Sequence, residues 1–262
     1  MPVERLEPRR FLDAVTLGGT GVLTITGDTL ADTINVYQTS SGVSVDLDGN
    51  GFGSPYANGS ISRIDIFGLD GADEIYVEGA VRGWNYGGED VAEVVKIEGG
   101  DGNDIIIAGD SLDTVYGGNG NDSMQGSEEN DLMYGGAGND TMGGDADNDT
   151  MYGGYGGEDV MSGGTENDLM YGGDAGAGGN VEVERDTLNG EDGNDTLYAE
   201  GGNDSLNPGN GEDFAYGGDG NDTFRGSLDN MTDWLDGGAG TDDVGTQGTH
   251  YDSPGDSLFN FP

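Results

Sequence analysis

From residue 106 to residue 244, apolar residues recur at one phase of a nine-residue period. They are Ile106, Val115, Met124, Met133, Met142, Met151, Met161 and Met170, followed by Leu188, Leu197, Leu206, Ala215, Phe224, Leu235 and Val244. An aspartate stands two residues before each one. The first series is Asp104, Asp113, Asp122, Asp131, Asp140, Asp149, Asp159 and Asp168; the second is Asp186, Asp195, Asp204, Asp213, Asp222, Asp233 and Asp242. The unit reads G-G-x-G-x-D-x-U-x, with U apolar, and a fixed period of this kind specifies a solenoid. A strand sends alternate side chains to opposite faces, so U points inward while its neighbours point out. A six-residue glycine turn then reverses the chain, and two units close an 18-residue coil. The pattern therefore predicts an all-β chain of two parallel sheets with a single inner row from each. Fifteen units give about seven coils, roughly 35 Å at the ~4.8 Å strand spacing. Six of the eight methionines fall on the U phase. That assigns them to the core, where a flexible thioether fills irregular gaps, in preference to a copper or cofactor site.

A second ladder checks the register. Tyr116, Tyr134, Tyr152 and Tyr171 follow their aspartates by three residues in every second unit, and Tyr198 and Tyr216 continue the series downstream. The alternation keeps its parity if residues 172–186 form one inserted loop rather than two ordinary turns. Residues 16–98 read differently, as short β-rich runs such as Val22-Leu23-Thr24-Ile25-Thr26 and Ile64-Asp65-Ile66, divided by turn residues. Two degenerate repeats lie within them, GDTLADTIN at 27–35 and GLDGADEIY at 68–76. We expect a β-rich N-terminal cap there, a repeat region over 99–245, and a C-terminal cap over 246–262, because an open solenoid end must be shielded.

Composition alone points the other way. The chain has 262 residues, 55 of them glycine, and a formal charge of −44. Such a balance ordinarily belongs to disordered chains, which cannot bury enough apolar surface to offset their entropy. The acidic residues stand at fixed register, however, so neutralisation by cations is the expected remedy. The negative field argues against nucleic acid and anionic membrane surfaces as partners. There is no cysteine, hence no disulfide framework. No apolar run approaches the ~18 residues of a transmembrane span.

The best turns are GGDGND at 99–104, GGNGND at 117–122, GGAGND at 135–140 and GGDGND at 217–222. Calcium takes six to eight oxygens from carboxylates and carbonyls, whereas magnesium is smaller and more reluctant to shed water. Glycine lets the backbone aim its carbonyls inward. Turn propensity alone accounts for single Asp and Asn residues but not for fifteen in phase. With one histidine and no cysteine, zinc and iron are improbable. Over about 145 residues these turns resemble the nonapeptide repeats of the RTX (repeats-in-toxin) proteins. The resemblance implies a parallel β-roll, a right-handed two-sheet solenoid, with roughly five to eight Ca²⁺ ions held between successive turns. It also implies folding on exposure to calcium after export through a type I channel. The implied ligands are Asp104, Asp113, Asp122, Asp131, Asp140, Asp149, Asp159, Asp168, Asp195, Asp204, Asp213, Asp222 and Asp242. Gly99, Asp101 and Gly102 join them, as do Gly117, Asn119 and Gly120, Gly135 and Gly138, and Gly217, Asp219 and Gly220. The intervening turns AGDSLD, GSEEND, GDADND and GGTEND lack the fourth-position glycine, so weaker or empty sites are expected along that edge before the insertion.

RTX segments often accompany a protease, lipase or epimerase domain. No such domain is read here: His250 is the sole histidine, and neither an HExxH motif nor a G-x-S-x-G elbow occurs. Paired carboxylates arise by chance among 52 acidic residues and carry no glycosidase argument. The G-x-G-x-x-G-like strings lack a strand–turn–helix context. The expectation is a non-enzymatic calcium-binding structural protein, extracellular or at the cell surface. The alternative is a surface adhesin, or a polysaccharide- or protein-binding module, that uses the tyrosine face. Residues 1–15 hold three of the eight basic residues of the chain, Arg5, Arg9 and Arg10, and LEPRRFLDA at 6–14 resembles the LEPR-type motif that opens many bacterial surface-associated proteins; a disordered arginine-bearing start is the competing reading.

Overall fold

Alternation along a single repeat builds the interior. In the strand Asp113–Asn119 of the computed structural model, Asp113, Val115 and Gly117 are buried, while Thr114, Tyr116 and Gly118 lie half-buried on the outer face. The inner surface therefore holds more than the expected single apolar row. Val115, Met133 and Met151 are each flanked by a buried aspartate before and a buried glycine after, and their strands run through the glycines, whereas Phe214–Tyr216 and Trp234–Asp236 stop before them. The structure describes residues 14–18, 22–39, 42–47, 56–57, 61–78, 82–84, 90–92, 94–174, 185–225, 231–244 and 257–259. The LEPR-type segment up to residue 13, His250 and most of 246–262 lie outside the described residues.

The described strands form two twelve-stranded sheets and one two-stranded hairpin. In the repeat region, neighbours within a sheet are parallel and one coil apart in sequence, with Val115 beside Met133 in the first sheet and Met124 beside Met142 in the second. This is a parallel β-roll. Its coils extend back beyond residue 99. Val22–Thr26 pairs in parallel with Arg63–Asp70, which pairs with Val94–Asp101, and Thr33–Thr39 pairs with Glu74–Glu78, which pairs with Ile105–Gly109. Antiparallel strands close both sheets at this end, Ala14–Leu17 on one and Gly42–Leu47 followed by Tyr56–Ala57 on the other. Hairpins of this kind blunt edges that would otherwise template further pairing.

The U residues from Ile106 to Leu235 are buried, the methionines among them, and Val244 is partly buried at the far end. Tyr116, Tyr134, Tyr152, Tyr171 and Tyr198 run up the outside of the first sheet, with ring centroids 4.9, 4.9, 4.8 and 5.1 Å apart and ring planes within 11° of parallel. Tyr171 pairs with Tyr198 and Met161 with Leu188, so the extra residues leave both sheets in phase. Residues 172–174 continue the strand Leu169–Asp174, and Asp186 is back in the aspartate series. The extra length thus falls between 174 and 185, mostly outside the described residues.

Candidate metal centre

The inward aspartates sit where each strand begins, and they form two columns along the two edges of the roll. One column holds Asp32, Asp73, Asp104, Asp122, Asp140, Asp159, Asp186, Asp204, Asp222 and Asp242; the other holds Asp113, Asp131, Asp149, Asp168, Asp195, Asp213 and Asp233. All are buried. Within each column, an aspartate's backbone N–H donates to Oδ1 of the aspartate one coil further on. Asp104 to Asp122, Asp122 to Asp140, Asp113 to Asp131 and Asp131 to Asp149 each measure 2.8 Å. The carboxylate thereby satisfies a buried donor and sets the stacking register.

The second oxygen is in a different position. Oδ2 of Asp73, Asp104, Asp113, Asp122, Asp131, Asp140, Asp149, Asp168, Asp195, Asp222 and Asp242 is buried with no hydrogen-bond partner. Except at Asp113, whose turn begins with Ala108, it lies against the first glycine of its own turn, and in most turns against the first-position carbonyl of the next coil. A Cβ at Gly99 would strike Asp104 Oδ2 and Gly117 O; one at Gly117 would strike Asp122 Oδ2 and Gly135 O; one at Gly135 would strike Asp140 Oδ2 and Gly153 O. At these turns first-position glycine leaves room for a carboxylate and a carbonyl that face each other as two acceptors, whereas Ala108, Ala199 and Pro208 fill that position before Asp113, Asp204 and Asp213. Burial pushes the carboxyls up from 3.8: to about 9 at Asp113, about 7 at Asp73, Asp131, Asp140, Asp149, Asp168 and Asp195, and about 6 at Asp122 and Asp222. The Asp104 carboxyl is also raised by burial.

Orphaned anionic oxygens beside carbonyl oxygens suit a hard cation. Among the described residues no three His, Cys, Asp or Glu side chains converge as a metal-binding group. A metal here would accordingly draw most of its ligands from main-chain carbonyls and only a minority from carboxylates, as calcium accepts and zinc does not. Asp101, Asn119 and Asp219 are exposed, and Asn119 Nδ2 donates to Asp101 Oδ1 at 2.7 Å outside the cradle. Their side chains therefore lie away from the buried oxygens. Their carbonyls accept from Gly71, Gly102 and Gly202 N–H, respectively.

The two edges share the aspartate geometry but differ at the fourth turn position before the insertion; beyond it Gly193 and Gly211 restore glycine on the second edge with φ +153 and +147. Gly120 has φ +135, a conformation reserved for glycine, and a Cβ there would collide with Gly102 O one coil back. Glu129, Asp147 and Glu166 occupy the equivalent position on the other edge with φ +74, +75 and +72, within reach of the left-handed helical region. The peptide at that corner is therefore turned differently.

Four aspartates outside the implied ligand set also stand in these columns. Asp186 and Asp233 accept from Asp159 and Asp213 N–H. Asp32 N–H donates to Asp73 Oδ1, and Asp73 N–H donates to Asp104 Oδ1, each at 2.8 Å. The signal for the last pair is present in GDTLAD and GLDGAD, whose aspartates close a turn before an apolar position, but at intervals far from nine.

The chain matches the family described as RTX calcium-binding nonapeptide repeat (4 copies) over residues 96–124, 116–151, 153–175, 184–215, 209–232 and 216–245, together more than half its length. No curated protein and no solved structure matches it.

Proposed function

We propose, for a chain that belongs to the family of RTX calcium-binding nonapeptide-repeat proteins, that calcium is the condition of its fold and that the folded roll serves outside the cell or on its surface as a structural element. Calcium binding comes with the repeats. The observation that carries the rest is the row of buried Oδ2 atoms with no donor. An unpaired buried charge costs several kcal/mol, so a roll of ionised, unpaired aspartates is not a stable state of the chain. A cation between successive turns turns each cost into an attraction. The ligands we assign are the column aspartates with the turn carbonyls beside them, on both edges. Each ion bound only by the folded form adds about 1.4 kcal/mol at tenfold excess over its dissociation constant, so five to eight ions shift the balance by roughly 7–11 kcal/mol.

Dependence on calcium fits an extracellular location, because a chain that stays unfolded where calcium is scarce folds where it is abundant. The role is non-enzymatic in this reading. Far-ultraviolet circular dichroism of the full chain tests it: coil in chelator, and strand with a cooperative transition on adding millimolar calcium. A β-rich spectrum in chelator at neutral pH overturns it.

A further inference from the structure

Beside the tyrosine ladder runs a straight trough with a glycine floor. The outward residue two positions after Tyr116, Tyr134, Tyr152 and Tyr171 is glycine, and Gly100 holds the same place after Glu98, so that Gly100, Gly118, Gly136, Gly154 and Gly173 pair in register through five successive coils. Leu69 takes the floor position before Gly100, and Glu200 takes it after Gly173, so a side chain ends the trough at either end. At the strand spacing of ~4.8 Å the five glycines cover roughly 19 Å. The trough opens into a cavity of about 520 Å³ lined by Tyr134, Tyr152, Tyr155, Tyr171 and Glu200 over Gly154 and Gly173. Tyr155 belongs to the turn GGYGGED, which is one residue longer than its neighbours, and its side chain is 72% exposed.

We infer that this cavity is a binding site for a neutral, extended β-linked oligosaccharide, held along the axis of the calcium-folded roll proposed above. Four observations select that chemistry. Inside the ladder, each ring face is covered by the next tyrosine, so the ladder contributes ring edges and hydroxyls to one wall, and the free aromatic face is that of Tyr155. An aromatic face with hydroxyls opposite it suits the apolar face and polar rim of a pyranose. The cavity has one carboxylate and no cationic side chain, in a chain of formal charge −44, which excludes anionic polymers. The floor strands already pair in parallel on both sides, so an extended peptide finds no free ladder to join. An extended β-1,4-linked chain is straight enough to follow the row of floor glycines, with alternate sugars presenting the same edge to the tyrosine wall.

The test is titration of calcium-loaded full-length protein with cellohexaose by calorimetry, with maltohexaose and oligogalacturonate alongside, after circular dichroism has shown the roll to be folded. The expected result is saturable binding of cellohexaose, little binding of the curved α-linked chain and none of the anionic one. Tyr155→Ala weakens binding about tenfold, whereas Tyr155→Phe, which keeps the ring, stays within about threefold of the parent. A folded roll that binds no cellohexaose, or binds it equally with Tyr155→Ala, overturns the inference and leaves the calcium reading intact. A calcium-dependent self-association lost in Tyr155→Ala would assign the trough to a second copy of the chain and equally overturn it. Failure to fold in calcium would instead strike the calcium reading.

Discussion

Protons should replace calcium. Burial raises the carboxyls of Asp73, Asp113, Asp122, Asp131, Asp140, Asp149, Asp168, Asp195 and Asp222 in the folded roll far above their value in an unfolded chain, so the metal-free roll binds more protons than the coil does between those two values. Its stability is then fully present below about pH 4 and is lost as pH rises through the folded values, about 6 for Asp122 and Asp222 and about 7 for Asp73, Asp131, Asp140, Asp149, Asp168 and Asp195. A rise from 3.8 to about 7 corresponds to about 4 kcal/mol. Halved for water reaching the turns, it is about 2 kcal/mol per site. Six such sites amount to about 12 kcal/mol, as large as the whole stability of an ordinary domain. Exhaustively decalcified protein in metal-free buffer should therefore be coil at pH 7.5 and gain strand ellipticity as pH falls from 7 to 5.5. That window lies above the sequence pI of about 4.1 and above the range in which exposed carboxylates titrate. In the same window the calcium midpoint for folding should rise, because protons compete for the same oxygens. A decalcified chain that stays coil down to pH 5, although it folds in calcium at pH 7.5, refutes the claim that the buried carboxylates oppose folding.

Met142→Asp should abolish or sharply weaken calcium-induced folding, since it buries an unpaired charge between Met124 and Met161 at several kcal/mol. Tyr134→Ser on the outer face removes two ring contacts at about 1 kcal/mol each and should do much less; equal losses by circular dichroism would contradict the assignment of faces. Asp122→Ala and Asp131→Ala each strand one buried N–H, on Asp104 and Asp113, so the pair differs chiefly in what the turn offers an ion. Asp122→Ala should raise the calcium midpoint more, because Gly120 admits the close approach of Gly102 O, and equal shifts would mean that Glu129 turns hold ions as well. Asp73→Ala should also raise the midpoint, by about as much as Asp122→Ala, although Asp73 precedes the repeat array; an unchanged midpoint would confine the ions to the repeats.

The phase of the U residues and of the tyrosines was readable because both depend on local spacing. Met133 and Tyr134 face opposite ways for the simple reason that they are adjacent, and pairing between coils adds only that equivalent residues stack. The earlier coils were hidden by length. Asp32 and Asp73 are 41 residues apart and Asp73 and Asp104 are 31 apart, against 18 between Asp104 and Asp122. Extra chain in a loop costs little closure entropy, so a roll tolerates it while a periodic pattern does not survive it. The inward direction of the aspartates was also invisible: turn propensity explains an aspartate at a corner equally well whether its carboxylate meets water or the core. Gly99 and Gly117 leave space for Oδ2 inside, but Asp113 points inward beside Ala108 as well, so the glycine pattern alone does not reveal the direction.

The two oxygens of one carboxylate therefore do separate work. Oδ1 holds the next coil in register through a hydrogen bond that needs no charge, as the 2.8 Å contact from Asp104 N–H to Asp122 shows. An asparagine oxygen would accept it equally, and asparagine is abundant in the adjoining position: Asn103, Asn121 and Asn139 form a ladder on the surface that runs the opposite way, with Asn121 N–H donating to Asn103 Oδ1 and Asn139 N–H to Asn121 Oδ1. Yet the buried columns consist of aspartate alone, so register is not what selects the acid there. The remaining difference is the charge on Oδ2, which opposes folding in the absence of a cation and favours it in the presence of one. Aspartate inside and asparagine outside thus make two ladders of opposite direction, and only the inner one makes the fold conditional on an ion.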